Sequence, residues 1–293
     1  MSTQITAAFV QMYRNNLIHL SQQKESRLIN AVQIKENVTG KQVFFDRLGL
    51  QTMVQLTSRH ADTIQQDTPH SRRMATLAPY TVADLIDDPD QIRTLIDPTN
   101  GYAKSQANAI GRQQDDIIIA AALGTAATGE TGSGSQVLPN AQKVTIQIGG
   151  GGSDISLNLE KVLEAKRLMD AAEVDEDGRF LVYDAFQLSK ILAFEKFTSI
   201  DYNTQRALVE GTMPSFLGFT WIRSERLTTD SNSDTQVFCF QGDGMGLGIG
   251  RLRETRITEE STKNYATQVW SYLDMGAVRI EDVRVIEIAC KPT

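Results

Sequence analysis

A chain of 293 residues, 41% apolar and 22% charged, has ample material for a buried core as one elaborate domain or two modest ones. Its net charge of −7 argues against a nucleic-acid-binding surface and favours solubility. No apolar run approaches the roughly 20 residues that span a bilayer, and the polar N-terminus lacks a signal peptide's hydrophobic core, which predicts a soluble protein made in the cytosol.

Ile5, Phe9, Met12, Tyr13, Leu17, Leu20, Leu28 and Val32 recur at helical spacing, predicting one or two amphipathic helices within residues 1–35. Such a segment either packs on its own domain or lies as an arm on a neighbouring subunit. From residue 41 the pattern changes. Val43 and Phe45, then Thr52, Val54 and Leu56, alternate as in a strand, followed by a polar run from Ser58 to Arg73. Met74 to Val82 again reads as a strand. Strand, polar tip and returning strand predict an extended hairpin, with too few apolar residues for a core of its own. It must lean on something else, and another copy of the chain is the natural support.

The stretch from Asp97 to Gly129 predicts a long helix. Asp97 suits the N-cap and Pro98 the first turn. Tyr102, Gln106, Ile110, Gln113 and Ile117 then follow at three- and four-residue steps, alanines thin one flank, and Gly129-Glu-Thr-Gly-Ser-Gly ends the pattern. Roughly thirty residues at 1.5 Å each make a rod of about 45 Å. Beyond it, Val144 to Ile148 reads as a strand, Ser156 or Asn158 as the cap of a helix through Met169, Phe180 to Tyr183 as a short buried strand, and Asp184 as the cap of a further helix. Phe219–Ile222 and Val237–Phe240 read as strands either side of a polar surface loop, 228–235. Residues 253–258, 266–272, 276–280 and 283–289 read as four more. Cys239 and Cys290, far apart in sequence, read as buried thiols of a reducing compartment, with a single disulfide as the open alternative.

Chemistry finds little footing. His19, His60 and His70 are the only histidines, and neither Cys-x-x-Cys nor His-Glu-x-x-His spacing occurs. Gly242-Asp-Gly-Met-Gly-Leu-Gly-Ile-Gly250 follows a strand but places glycine at every second position, which matches neither a dinucleotide fingerprint nor a phosphate loop and suits close backbone packing. Asp115 and Asp116 point about 100° apart on a helix and do not converge on a ligand; an ion pair of Asp115 with Arg112 is the simpler reading. No Gly-x-Ser-x-Gly elbow is present. No catalytic residue, cofactor site or metal site is expected.

The order of these segments resembles the major capsid proteins of tailed bacteriophages with the HK97-type fold, in particular a short-tailed phage group. Leu17 to Val32 resembles the N-terminal arm and residues 41–83 the extended loop. Tyr102-Ala-Lys-Ser-Gln106, Arg112-Gln-Gln-Asp-Asp-Ile and Gly124-Thr-Ala resemble the spine helix, and Leu159 to Met169, Phe180 to Tyr183, Gly218 to Ile222 and Val237 to Asp243 the axial domain. The resemblance implies an α+β fold divided into arm 1–40, extended β-hairpin loop 41–84, peripheral domain 85–150 with a spine helix at about 98–128, axial domain 151–252, and a return to the peripheral domain over 253–293.

It further implies self-assembly into pentamers and hexamers of an icosahedral shell around double-stranded DNA, held without sequence-specific contacts and without a membrane; an encapsulin-like compartment is the alternative within the same fold. Partners implied are other copies of the chain, a portal, a decoration protein and either a separate scaffolding protein or none, since about forty residues before the loop leave no room for a fused one. Some relatives weld neighbours through a lysine on the loop. Here no lysine lies between Lys41 and Lys104, so an uncrosslinked shell is expected. Arg59, Arg72 and Arg73 on the loop, with Phe9, Tyr13 and Leu17 on the arm, are the candidate contacts to adjacent copies.

Overall fold

The computed structural model describes residues 22–55, 57–59, 62, 65–86, 99–193 and 215–292. The chain first runs through β1 (Gln33–Lys35), β2 (Gln42–Leu48), β3 (His70–Thr76), β4 (Ala78–Ile86), α1 (Thr99–Leu123), β5 (Ala126–Thr128), β6 (Gly134–Gln136) and β7 (Lys143–Val144). It continues through α2 (Leu159–Ala171), β8 (Arg179–Tyr183), α3 (Ala185–Leu192), β9 (Ser215–Phe216), β10 (Phe219–Arg223), β11 (Thr235–Gln241), β12 (Met245–Glu260), β13 (Ala266–Arg279) and β14 (Val285–Cys290).

Three sheets organise these elements. The first, in the order β7-β14-β11-β8-β10-β9, carries α2 and α3. Both helices start where their caps predict: the Asn158 side chain accepts from the Lys161 amide and the Asp184 side chain from the Gln187 amide. Val162, Ala165 and Met169 of α2 and Leu188 and Ile191 of α3 bury against Leu181, Val237, Cys239, Ile286 and Cys290 of the sheet. Both cysteines are free, so the disulfide alternative falls away. Burial pushes each thiol up to about 12. Lys161 is also fully buried there. Its ammonium donates to the carbonyls of Ile155 (2.7 Å) and Ala289 (2.9 Å), and burial lowers its pKa.

The second sheet runs β1-β12-β13-β4, and α1 lies on it. At about 1.5 Å per residue its 25 residues span roughly 37 Å. The helix is shorter than its glycine stop predicts. It ends at Leu123, and residues 126–128 are already strand, because the buried Arg279 guanidinium takes the terminal carbonyls of Ala122 (2.9 Å) and Gly124 (2.7 Å). Asp97 and Pro98, its predicted start, lie outside the described residues. Ile118, Ile119 and Ala122 pack with Leu247, Leu273 and Met275, and with Leu28 and Val32 from the entering chain. Those last two sit beside a short 3₁₀ turn and β1, so the helical stripe predicted for residues 1–35 does not extend over them. The rest of that stripe lies outside the described residues.

The third sheet, β2-β3-β5-β6, is the predicted hairpin with a short extension. Its strands pair from Gln42↔Thr76 to Leu48↔His70. Thr52 and Val54 are not in a strand, and Met74 to Val82 divides at Leu77 into β3 and β4, which belong to different sheets. The division follows the pairing, since β3 bonds to β2 and β4 to β13. Around the crossover, Gly276 of β13 faces the Thr76 carbonyl with no room for a Cβ. Two more expectations change at the strands. Residues 146–152 are turns, leaving β7 only two residues long, and residues 266–280 form one strand, β13, plus Ile280. β14, the last strand, pairs with β11 and β7 in the six-stranded sheet.

The alternating glycines are explained at this junction. In β12, Gly246, Gly248 and Gly250 present a bare backbone strip: a Cβ on Gly246 would stand 2.6 Å from the Phe45 ring, and one on Gly248 2.5 Å from Val43. The hairpin root thus packs directly on β12, burying Val43, Phe45 and Ala75 with Ala126, Val278 and Ile280.

Candidate interaction surfaces

Three places can carry contacts: the hairpin, its root, and the point where the N-terminal segment meets α1. The hairpin leaves apolar surface uncovered. Leu48 is 72% exposed, Leu50 94%, and Met53 and Val54 are exposed beside them. Single exposed apolar side chains are ordinary, but four within seven residues of one projecting segment form a patch. Arg59 is exposed further along the chain, and His70 is exposed at the start of β3. His19 and His60 lie outside the described residues.

Arg72 and Arg73 divide in their surroundings. Arg72 lies over the Phe44 ring and pairs with Asp46 at 2.9 Å, both side chains well exposed, which makes the pair weak and exchangeable. Arg73 is only 3% exposed. Its guanidinium donates to Asp282 at 2.7 Å and to the Ile280 carbonyl at 3.3 Å. Burial lowers its pKa and the Asp282 carboxylate partly offsets this. Arg73, named from the sequence as a candidate contact to an adjacent copy, has its charge paired within its own chain, at the root. Asp282 also takes Arg279 Nε at 2.6 Å, and Arg279 Nη2 reaches the Gln136 carbonyl at 3.0 Å. Arg47 adds a bond to the Ile280 carbonyl at 2.9 Å. One buried ionic cluster therefore ties the hairpin to the end of α1 and to β13. The pairing of Arg73 with Asp282 is not legible in the sequence, because the two lie 209 residues apart.

At the third place a buried carboxylate grips the entering chain. Asp115 of α1 is fully buried. It accepts from the Gln23 side chain, from Ser26 Oγ at 2.6 Å, from the Arg27 amide at 3.1 Å and from the Leu28 amide at 3.2 Å. Arg112, expected beside Asp115, instead donates to Gln22 Oε1 at 2.6 Å and the Gln23 carbonyl at 3.4 Å. Gly111 lets the two backbones meet: a Cβ there would lie 2.7 Å from the Ser26 nitrogen. Asp116 points elsewhere and pairs with Arg226, whose guanidinium it holds above the ordinary value. The two adjacent carboxylates thus hold separate partners, Asp115 the entering chain and Asp116 the Arg226 guanidinium. Phe9, Tyr13 and Leu17 precede this grip and lie outside the described residues.

Among the described residues no group of three or more His, Cys, Asp or Glu converges on a metal position, and no helix is long and apolar enough to cross a membrane. A family model described as phage capsid protein matches residues 5–292, almost the whole chain. The chain belongs to the phage capsid protein family. Solved structures share the fold of this capsid protein from end to end. The capsid of Cyanophage P-SCSP1u superposes with a TM-score of 0.76 at 15% identity, covering 100% of this chain and 96% of that one. The capsid of Ralstonia phage GP4 gives 0.75 at 11% identity, covering 97% and 96%. The capsid of a native GTA particle gives 0.68 at 10% identity, covering 97% and 96%. No curated protein matches the sequence. The fold is the α+β HK97-type capsid fold, and the capsid protein is a structural component of a tailed-phage virion, not an enzyme.

Proposed function

We propose that this capsid protein is synthesised in the bacterial host's cytoplasm and self-assembles there into pentamers and hexamers of an icosahedral shell that encloses double-stranded DNA. The observation that carries the reading is the hairpin. Its root is buried and charge-neutralised on its own chain, while Leu48, Leu50, Met53 and Val54 beyond the root stay exposed. Surface of that kind is stabilised when a neighbour covers it, and in a closed shell every copy covers the next. Arg59 and the exchangeable Arg72 are the charged contacts proposed for the hairpin, with Phe9, Tyr13 and Leu17 for the arm. The acidic net charge suits a wall that holds DNA without sequence-specific contacts. A separate scaffolding protein, a portal and a decoration protein complete the proposed partner set.

Electron microscopy of the overexpressed protein, alone and with its phage's neighbouring gene products, tests the reading. Hollow icosahedral particles are expected; tubes or a dispersed monomer under all conditions overturn it. Purified shells containing a protein cargo and no DNA after infection would instead select the encapsulin-like compartment.

A further inference from the structure

The Arg73–Asp282 pair neutralises the buried charge at the hairpin root, but a cation beside it is left over. Asp282 has both oxygens occupied, Oδ2 by Arg73 Nη2 at 2.7 Å and Oδ1 by Arg279 Nε at 2.6 Å. Arg47 stands half-buried next to them and reaches no carboxylate among the described residues. Its Nη1 donates to the Ile280 carbonyl and its Nε to Ser71 Oγ at 3.1 Å, while its Nη2 has no acceptor there. Arg73 Nη1, in a side chain only 4% exposed, is likewise without a hydrogen-bond partner. A buried donor without an acceptor is costly, and guanidiniums side by side repel until an anion joins them. Burial lowers the Arg73 pKa first, and repulsion by Arg47 and Arg279 adds to it.

Both side chains open onto a groove of about 930 Å³ between the hairpin strands and the turn after β5, with His70, Arg72, Glu130 and Gln136 on its walls. Asp46 in the same wall is paired with Arg72, and the exposed Glu130 makes no ion pair among the described residues. A volume at the upper end of the roughly 300–1,000 Å³ range of ligand sites admits a loop of polypeptide; a lone inorganic ion would fill little of it.

The chain carries a matching segment. Glu173-Val-Asp-Glu-Asp177 is its densest acidic run, four carboxylates in five residues. It forms the turn between α2 and β8, and all four acidic residues are exposed. Arg179, buried beneath, donates to the Val174 and Asp175 carbonyls and so holds the turn. The four carboxylates make no ion pair among the described residues. A segment already fixed loses little freedom on docking, and an arginine fork pairs with a carboxylate through two parallel bonds.

We propose that the groove of Arg47 and Arg73 in one copy receives the acidic turn 173–177 of an adjacent copy. The proposal rests on the shell reading and names the surface that each hairpin root grips. Groove and turn are different surfaces, so the contact is heterologous. Every copy gives one and receives one, and such contacts close into rings.

Paired cysteines test it in assembled particles, because both native thiols are buried. Shells of Arg47→Cys with Glu176→Cys, treated with a short bismaleimide, are expected to give a ladder of covalent oligomers up to pentamers and hexamers. Either cysteine alone is expected to leave monomers. Charge exchange gives a second readout. Arg47→Glu is expected to lower particle yield at least ten-fold, and adding Glu176→Arg to restore at least half of it; a folding defect at residue 47 would not respond to a change at 176. Double-cysteine shells that form but show only monomers overturn the pairing and leave the shell reading standing. If those shells do not form, an Arg47→Glu defect that Glu176→Arg fails to rescue does the same. Arg47→Glu shells that form normally yet hold less DNA would assign the groove to nucleic-acid phosphate and overturn the proposal. Wild-type protein that never forms particles overturns both readings.

Discussion

The grip of Asp115 on the entering chain sets a measurable cost. Asp115→Ala removes the acceptor of two backbone amides, Arg27 and Leu28, and of the Gln23 and Ser26 side chains. Each buried donor left without an acceptor costs about 1–3 kcal/mol, and the amides have nowhere else to turn. The side chains can rotate toward water, so the two amides dominate, and the total comes to about 3–5 kcal/mol. For a chain of 293 residues that lowers the melting temperature by roughly 5–8 °C. The loss is local, which gives a second readout. Trypsin cleavage after Arg27 requires the segment to leave α1, and a 3 kcal/mol weaker grip raises that open population roughly a hundred-fold. Asp115→Asn keeps one acceptor oxygen and should fall between the two. Thermal melts and timed trypsin digests of the subunit measure both effects. An alanine variant that melts within 2 °C of the wild type and is cut after Arg27 at the same rate would refute the assignment of Asp115 as the anchor.

Further outcomes follow from other parts of the molecule. Arg279→Met strands the carbonyls of Ala122, Gly124 and Gln136 and leaves Asp282 short of a partner; a loss of about 3–5 kcal/mol is expected in denaturant melts. Gly276→Ala drives a methyl into the Thr76 carbonyl, and soluble expression should fall to a small fraction of wild type. The buried thiols of Cys239 and Cys290, raised from 9 to about 12, stay protonated in the fold while the unfolded chain ionises. Their contribution is fully present below about pH 9 and is lost toward pH 12, at about 1.4 kcal/mol per pH unit per thiol, read from melts across that range. Neither thiol should react with a chromogenic disulfide reagent until the protein unfolds. Mature particles should give a single subunit band on denaturing gels; a ladder of covalent multimers would contradict the absence of lysine between Lys41 and Lys104.

What the sequence reveals here follows the range over which its signals act. Asn158 and Asp184 cap the helices that follow them because a cap is written within four residues. β8, β10 and β11 show as dense apolar runs bounded by turn residues, since buried strands need no distant partner to be recognised. The hairpin shows for the same local reason, but its division at Leu77 does not, because the partner that takes β4 into another sheet, β13, lies nearly two hundred residues on. Asp115 is the sharpest case. With Arg112 three residues before it on a helix it reads as half of a local ion pair, and its partners, Gln23 to Leu28, carry no motif that points to a carboxylate. The helix end at Leu123 was likewise hidden: the glycines beyond it are visible, whereas Arg279 is not recognisable as a cap from 155 residues away.

The contact between Phe45 and the bare strip of β12 makes one pocket of volume out of two positions two hundred residues apart. The ring fills the space that a side chain on residue 246 would need. Neither position can therefore vary alone. A relative with alanine at 246 should carry a smaller residue at 45, and Gly246→Ala in this chain should be tolerated only together with Phe45→Leu. Across the family the two columns should change in step, so that the seating of the hairpin on the shell wall is inherited as a pair.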